Sequence, residues 1–399
     1  MKFNQWTLGL AALGVISLAS AVQAEEAQNQ VMTALSSTTL SGYVSASAIW
    51  KPGNGNVVAP GRSFDGIGKQ DGFNLDVVKL QLEKPVDEGQ WAAGYQAGLL
   101  FGPDANTYGT TSTGFATSDF GIKDANVTLR APLGNGLDFK LGYWESPIGY
   151  EVFDLGSNPN YSRSFGYAIE PKQFTGLLAS YRVNDMIKIE GGVANTGLGI
   201  GAGPGNTATV FVNNAINGRT AKIESLKTYI GAVTLTAPES LGMLKGAQLY
   251  AGIVDSGVAG APDIQSYYVG ASIPTPLEGL ALGACGDYRS NSGGNGISST
   301  HASSLAGYLT YQVTEKLKLN NRVEWATGSN NTWYFVPLTA KHQSNDLLGY
   351  TFTADYSLWG NVITRGEFRW DHELNGNGIF NDGSDKNTVS LVLNVIYKF

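Results

Sequence analysis

The chain has 399 residues, with 26 Lys and Arg against 33 Asp and Glu, a formal net charge of −7. That balance argues against nucleic acid as a partner, because phosphates call for a basic face. A single cysteine, Cys285, excludes an internal disulfide, so an exported chain of this kind must take its rigidity from a large hydrogen-bonded structure.

At the amino end, Lys2, an apolar run from Leu8 to Leu18 and the small-residue pattern Val22-Gln23-Ala24 have the layout of a cleaved secretory signal peptide. It is predicted over 1–24, with a short periplasmic segment over 25–38. The apolar run is shorter than the roughly 20 residues that a membrane-crossing helix needs. Beyond it, 52 Gly, 19 Tyr, 16 Phe and 8 Trp favour strands and turns.

From residue 39 to 399 many segments keep one parity apolar and the other small, polar or charged, which is the pattern of a strand with one lipid face and one wet face. In Asp124-Ala125-Asn126-Val127-Thr128-Leu129-Arg130-Ala131, the residues Ala125, Val127, Leu129 and Ala131 share a face. Leu137 to Tyr143, Leu317 to Trp325 and Thr364 to Trp370 alternate in the same way. Strands are predicted at 39–51, 74–85, 91–101, 121–131, 137–146, 173–183, 187–196, 226–237, 245–255, 264–274, 280–290, 301–313, 317–327, 346–358, 361–373 and 387–399. Their connections alternate between tight turns, such as Pro132 to Gly136 and Thr314 to Lys316, and long Gly/Asn/Ser/Thr-rich loops, such as 52–73, 147–172 and 197–225. Short turns at one rim and long loops at the other are expected of an all-β, antiparallel up-and-down transmembrane barrel of about 16 strands, with its turns in the periplasm and its loops outside. A secreted β-sandwich or β-helix would also alternate, but has no reason to sort its connections by length.

The last strand puts Val389, Leu391, Leu393, Val395, Tyr397 and Phe399 on one face and stops on the aromatic. Tyr397 and Phe399 resemble the C-terminal assembly signal of outer-membrane barrels, which implies the barrel assembly machinery as a partner. Trp50, Trp91, Tyr143, Tyr181, Tyr311, Trp325, Tyr356 and Trp370 fit interfacial girdles against outer-membrane lipid.

The stretches Leu40-Ser41-Gly42-Tyr43-Val44, Phe73 to Pro85, Gly149-Tyr150-Glu151-Val152-Phe153 and Asn158-Pro159-Asn160-Tyr161-Ser162-Arg163-Ser164-Phe165-Gly166-Tyr167 resemble the β-barrel porins of the OmpL-like group. The resemblance spans most of the mature chain and implies an outer-membrane barrel. It supplies no catalytic or binding motif.

A barrel of about sixteen strands leaves an aqueous channel, whereas eight would be filled by side chains. With the apolar parity facing lipid, the other parity brings Arg130, Lys140, Arg182, Lys318, Arg322, Glu324, Arg365, Glu367, Arg369 and Asp371 into the lumen. Arg or Lys on the lipid face would each cost roughly 2–4 kcal/mol near the midplane. Opposed charges create a transverse field that favours small polar solutes or ions. Lys318, Arg322, Arg365 and Arg369 are expected to form a basic wall, or to pair with Glu324, Glu367 and Asp371 as a stiffening ladder. The third long loop, assigned Glu145, Glu151, Asp154 and Arg163, is expected to fold inward as it does in general porins, with Glu151 and Asp154 facing the basic wall across a constriction.

The expected function is passive diffusion through a water-filled barrel. The alternatives are a loop-closed barrel serving as adhesin, receptor or scaffold, and a channel with a specific sugar or anion site. A homotrimer is expected only by analogy with general porins. No cofactor and no catalysis are expected: His301, His342 and His372 lie in or beside loops without a nucleophile in context. Asp382 and Asp385, in a Gly/Asn/Asp-rich loop, have oxygen ligands at roughly calcium-loop spacing but lack the full EF-hand pattern.

Overall fold

The computed structural model describes residues 31–32, 37–53, 59, 61–65, 69–89, 91–108, 119–195, 226–257, 262–294, 298–329, 346–376, 378–381 and 385–399. The signal-peptide assignment at 1–24 and the segment 197–225 lie outside them.

Sixteen strands make up the wall: β1 (Thr39–Trp50), β2 (Gly72–Lys84), β3 (Ala92–Phe101), β4 (Phe120–Ala131), β5 (Leu137–Glu145), β6 (Gln173–Arg182), β7 (Ile187–Ala194), β8 (Thr228–Thr236), β9 (Gln248–Ser256), β10 (Ile264–Pro274), β11 (Leu280–Asn291), β12 (Thr300–Gln312), β13 (Leu317–Gly328), β14 (Leu347–Trp359), β15 (Val362–Glu373) and β16 (Asn387–Lys398). Each pairs antiparallel with the next. β16 returns to β1 through Leu391↔Trp50 to Lys398↔Tyr43, so the sheet closes and has no free edge. Val31–Met32 adds a short antiparallel pairing to Thr39 and Leu40. No helix among the described residues is long and apolar enough to cross a membrane.

The last strand shows which face is which. Leu391, Leu393, Val395 and Tyr397 are 37, 68, 48 and 46% exposed, while Ser390, Val392, Asn394 and Ile396 are 4, 6, 1 and 0% exposed. In this protein the exposed face is the apolar one, the arrangement a barrel needs where hydrocarbon replaces water outside. The core lies inside the barrel.

The rims differ as the alternation of connections predicts. On one rim the connections are 85–91, 132–136, 183–186, 237–247, 275–279, 313–316 and 360–361; on the other they are 51–71 (L1), 102–119 (L2), 146–172 (L3), 195–227 (L4), 257–263 (L5), 292–299 (L6), 329–346 (L7) and 374–386 (L8). The connection at 237–247 is the longest of its rim and contains the 3-10 turn Glu239–Leu244.

L3 enters the barrel. It carries a 3-10 turn, Leu155–Ser157, and a short helix whose five residues, Phe165–Ile169, are all buried. Ser164 caps that helix by accepting from the Tyr167 N–H at 3.1 Å. Three apolar clusters inside the wall each include L3 residues. Phe153 and Leu155 pack with Tyr43, Val77, Leu100 and Ile396; Phe165, Ala168 and Ile169 with Leu347 and Phe380; and Ile148 and Tyr150 with Trp144, Phe174, Ile230, Tyr268 and Tyr308. Tyr150 stacks on Tyr308 with ring centroids 4.2 Å apart. The inward parity is therefore less polar than the alternation predicts, because a loop held inside the lumen needs an apolar seat as well as polar contacts.

Tyr143, expected in the lipid-facing girdle, is 2% exposed. It follows Gly142 at φ +130°, a conformation open to glycine. A Cβ on Gly142 would lie 2.4 Å from the Ala125 carbonyl oxygen.

Candidate functional site

The wall formed by β13, β14 and β15 carries most of the predicted charges, and strand register stacks them in rows. Arg322 lies opposite Thr351, and Thr351 opposite Arg369. One row toward the long-loop rim stand Glu324, Gly349 and Asp371; two rows toward the turn rim stand Lys318, Asp355 and Arg365, with Thr353 and Glu367 between. Gly349 is required for space, since a Cβ there would lie 2.6 Å from Cγ of Glu324.

Between and along these rows most of the charges are paired. Arg322 Nε is 2.9 Å from Glu324 Oε1, Arg369 Nε 2.9 Å from Asp371 Oδ1, Arg365 Nε 2.8 Å from Asp355 Oδ1 and Lys318 Nζ 3.4 Å from Asp355 Oδ2. The expected wall is thus largely the ladder. Arg322, Glu324, Arg369 and Asp371 do point inward, yet they are 0–1% exposed. The expectation that they line open water is corrected by L3, which lies over them.

L3 is tied to this wall through its backbone. The N–H groups of Tyr161 and Ser162 donate to Glu367 at 2.6 and 3.0 Å, and that of Phe165 donates to Glu324 at 2.6 Å. In return Arg322 donates to the Ser162 carbonyl at 2.8 Å, Arg369 to that of Arg163 at 2.6 Å, and Arg365 to those of Leu155 and Asn158 at 2.6 and 2.9 Å. These loop groups are thereby matched by wall groups of opposite character, as burial requires.

The four predicted constriction residues divide. Glu151 contacts the wall directly instead of facing it across a gap: its Oε1 lies 2.9 Å from Arg322, and its Oε2 accepts from the Ser164 N–H at 2.7 Å. Asp154 points to the other side of the barrel, where Lys79 of β2 donates to both carboxylate oxygens at 2.8 Å and Lys123 of β4 lies 3.8 Å away. Arg163 serves the loop itself, donating to the carbonyls of Val152, Phe153 and Tyr161. Glu145 is the last residue of β5 and not part of the loop; its carboxylate lies 2.5 Å from Lys123. L3 consequently spans the lumen from β13–β15 to β2–β4.

Burial would raise the Asp154 carboxyl, but Lys79 and Lys123 outweigh it and hold the group at about 2. Its folded value lies below its ordinary one, so this contribution to docking is present above about pH 4 and is lost as pH falls toward 2. Protease sensitivity of L3 in the folded barrel should be flat from pH 7 to 4 and rise below that; Asp154→Asn should show the raised sensitivity already at pH 7. A variant indistinguishable from the parent would remove Asp154 from the docking contacts.

Arg130, Lys140 and Arg182 sit toward the turn rim. Arg130 forms a two-pronged pair with Asp138, both contacts at 2.7 Å. The inward side chains that keep some solvent contact are spread round the lumen, on β2, β5, β7, β13 and L3: Glu145 at 30%, Asp154 at 17% and Lys79 at 10%, with Lys188, Glu190 and Lys318 at 12–15%.

Two interior charges escaped the alternation rule, and β-bulges explain both. In the β1–β2 ladder Ser45 faces Val77 but Ala46 faces Leu75, leaving Asp76 as the extra residue. In the β3–β4 ladder Gly98 faces Asp124 but Leu99 faces Ile122, leaving Lys123 as the extra one. A bulge shifts parity by one, so side chains that strict alternation sends to lipid turn inward. Asp76 accepts from Ser45, Ser47 and Tyr161 at 2.7–2.8 Å. Arg62 of L1, also missed, lies 2.6 Å from Asp371; nothing in its local sequence signals the contact. The Asn158 to Ser162 stretch was legible only as part of the family resemblance.

Among the described residues no cluster of His, Cys, Asp and Glu suits a metal ion. Asp382 is outside those residues, and Asp385 accepts from Asn381 at 3.1 Å. His301 stacks on Tyr288 and His372 on Trp370. Cys285 is a buried free thiol of the inward face.

A closed sixteen-strand wall, apolar outside, with an inward third loop is an outer-membrane porin barrel. The chain belongs to the family described as putative beta-barrel porin-2, OmpL-like, which matches residues 37–399. No curated protein matches the sequence. Among solved structures it is similar to the outer membrane channel DcaP of Acinetobacter baumannii, with 13% identity, a TM-score of 0.59 and coverage of 91% of this chain and 97% of that one. It is also similar to the anion-selective porin from Comamonas acidovorans, at 11%, 0.56, 91% and 99%, and to Salmonella typhi OmpF in complex with daunomycin, at 10%, 0.57, 91% and 97%. These likenesses establish the barrel fold, and the family makes the protein a porin.

Proposed function

We propose that the protein is a porin that lets small hydrophilic solutes and ions diffuse passively across the outer membrane, through the part of the lumen that L3 leaves free. The observation that carries this reading is the set of partly exposed inward charges Glu145, Asp154, Lys79, Lys188, Glu190 and Lys318, inside a wall whose outer face is apolar. Charged side chains with residual solvent contact inside a lipid-facing cylinder support a water-filled path. L3 narrows that path and leaves both signs of charge beside it. The mature chain reaches the membrane by a signal peptide over 1–24 and the barrel assembly machinery, as Tyr397 and Phe399 suggest.

Purified protein in planar bilayers should give steady, ohmic conductance, and proteoliposomes should swell with sugars at rates that fall with solute size. A saturating swelling rate for one solute would favour a specific channel. Absence of any steady conductance would favour the second reading, a loop-closed barrel acting as adhesin, receptor or scaffold. That reading is supported by the near-zero exposure of Arg322, Glu324, Arg369 and Asp371 and by Arg62 reaching Asp371 from L1. One structural neighbour, OmpT of Vibrio cholerae, was solved in a trimer form at 10% identity; a homotrimer here would appear in detergent as three times the protomer mass.

A further inference from the structure

Below L3, on the side of the turn rim, two cations share one carboxylate and a third lies beside them. Asp355 of β14 serves both Lys318, at 3.4 Å, and Arg365, at 2.8 Å. Lys398 of β16 points inward on the same parity as Asn394, comes within repulsive range of Arg365 and Lys318, and has no carboxylate at ion-pair distance among the described residues. Its amine instead reaches up beneath the 3-10 turn of L3: a Cβ placed on Gly156 would be 3.2 Å from Lys398 Nζ. Arg365 spends its terminal nitrogens on the Leu155 and Asn158 carbonyls, so it fixes the loop while its charge stays in the cluster. Asp154 also acts on Lys398, but both its oxygens are held by Lys79, so Lys318, Arg365 and Lys398 against Asp355 leave a net positive site. Lys398 is only partly buried and Lys318 keeps 15% of its side-chain exposure, so the excess charge is open to the lumen.

We propose that the Lys318–Arg365–Lys398 cluster is an anion-attracting site that makes the pore favour small anionic solutes over cations of the same size. This rests on the channel reading and deepens it by naming the preferred charge. The physical basis is that a net charge beside a narrow, low-dielectric wall concentrates counter-ions and repels co-ions. Lys398 is the residue to alter, since among the described residues it closes no ion pair and holds no loop carbonyl by hydrogen bond.

The test is the chloride-to-potassium permeability ratio, from reversal potentials in a KCl gradient near 0.1 M, where screening acts over about 10 Å. Lys398→Gln should lower the ratio about threefold, the effect of one unit charge several ångströms away in water, and Lys398→Arg should restore it. Asp355→Asn should move the ratio in the opposite direction, a sign that loss of structure would not produce. Lys245→Gln, in the solvent-exposed turn at the same rim, should leave it unchanged. Each variant is first shown to be folded by heat-modifiable migration in detergent gels. A conducting channel whose ratio is indifferent to Lys398→Gln and Asp355→Asn overturns the anion site but not the porin; a folded protein with no conductance overturns both.

Discussion

Replacing Arg322 by Ala should release the third loop and enlarge the pore. Arg322 is fully buried, holds Glu151 and Glu324 at 2.9 Å each, and donates to the Ser162 carbonyl and to Thr351 at 2.8 and 3.0 Å. Removing one member of a buried charge network leaves the others uncompensated, at about 3–5 kcal/mol. The strand ladders are held by backbone hydrogen bonds that do not involve this side chain, so the penalty falls on loop docking rather than on the barrel. On that scale the ratio of docked to undocked loop drops by roughly a hundredfold to several thousandfold. Single-channel conductance should rise, larger sugars should enter proteoliposomes, and a protease should cut within 146–172. Arg322→Lys should fall between, because an ammonium keeps the charge but cannot reproduce the planar fork that serves several acceptors at once. An unchanged conductance and size cut-off in folded Arg322→Ala would mean that L3 stays docked without this network.

Loss of Phe399, or Gly42→Val, should prevent closure of the barrel. The last rung is made by Gly42 and Phe399, whose N–H groups donate to each other's carbonyls at 2.9 and 3.0 Å, each worth net about 0.5–1.5 kcal/mol. Gly42 also lies under the aromatic ring: a Cβ there would come within 2.2 Å of the Lys79 carbonyl oxygen and 2.8 Å of the Phe399 ring, so both backbone and ring would have to shift. A barrel that cannot seal leaves unpaired backbone groups facing hydrocarbon, where each costs several kcal/mol. The folded, heat-modifiable fraction in outer-membrane preparations should fall more than about tenfold, equivalent to roughly 1.4 kcal/mol. Wild-type levels of folded barrel for both variants would show that the terminal rung is dispensable.

The alternation of apolar and polar residues determined the class of this protein by itself. Leu391, Leu393, Val395 and Tyr397 against Ser390 and Asn394 specify a two-faced strand, and sixteen such strands with unequal connections specify a transmembrane barrel. This was legible because side-chain direction along a strand is a local property with period two. Charge placement followed for the same reason: Arg322, Arg365 and Arg369 face inward as their parity requires. It failed at Asp76 and Lys123, where a bulge inserts one residue and inverts the parity; such a slip depends on the partner strand and has no signature in the strand that carries it.

What only the tertiary structure decided is how the interior is occupied. Whether Glu151 confronts the basic wall or joins it, why Trp144, Phe174 and Ile230 turn inward, and how Arg62 finds Asp371 all depend on loops folding over distances of tens to hundreds of residues. Closure of the wall brings together groups that no local rule relates. Inside it, desolvation makes every charge seek its opposite, and the outcome depends on which residues arrive within reach.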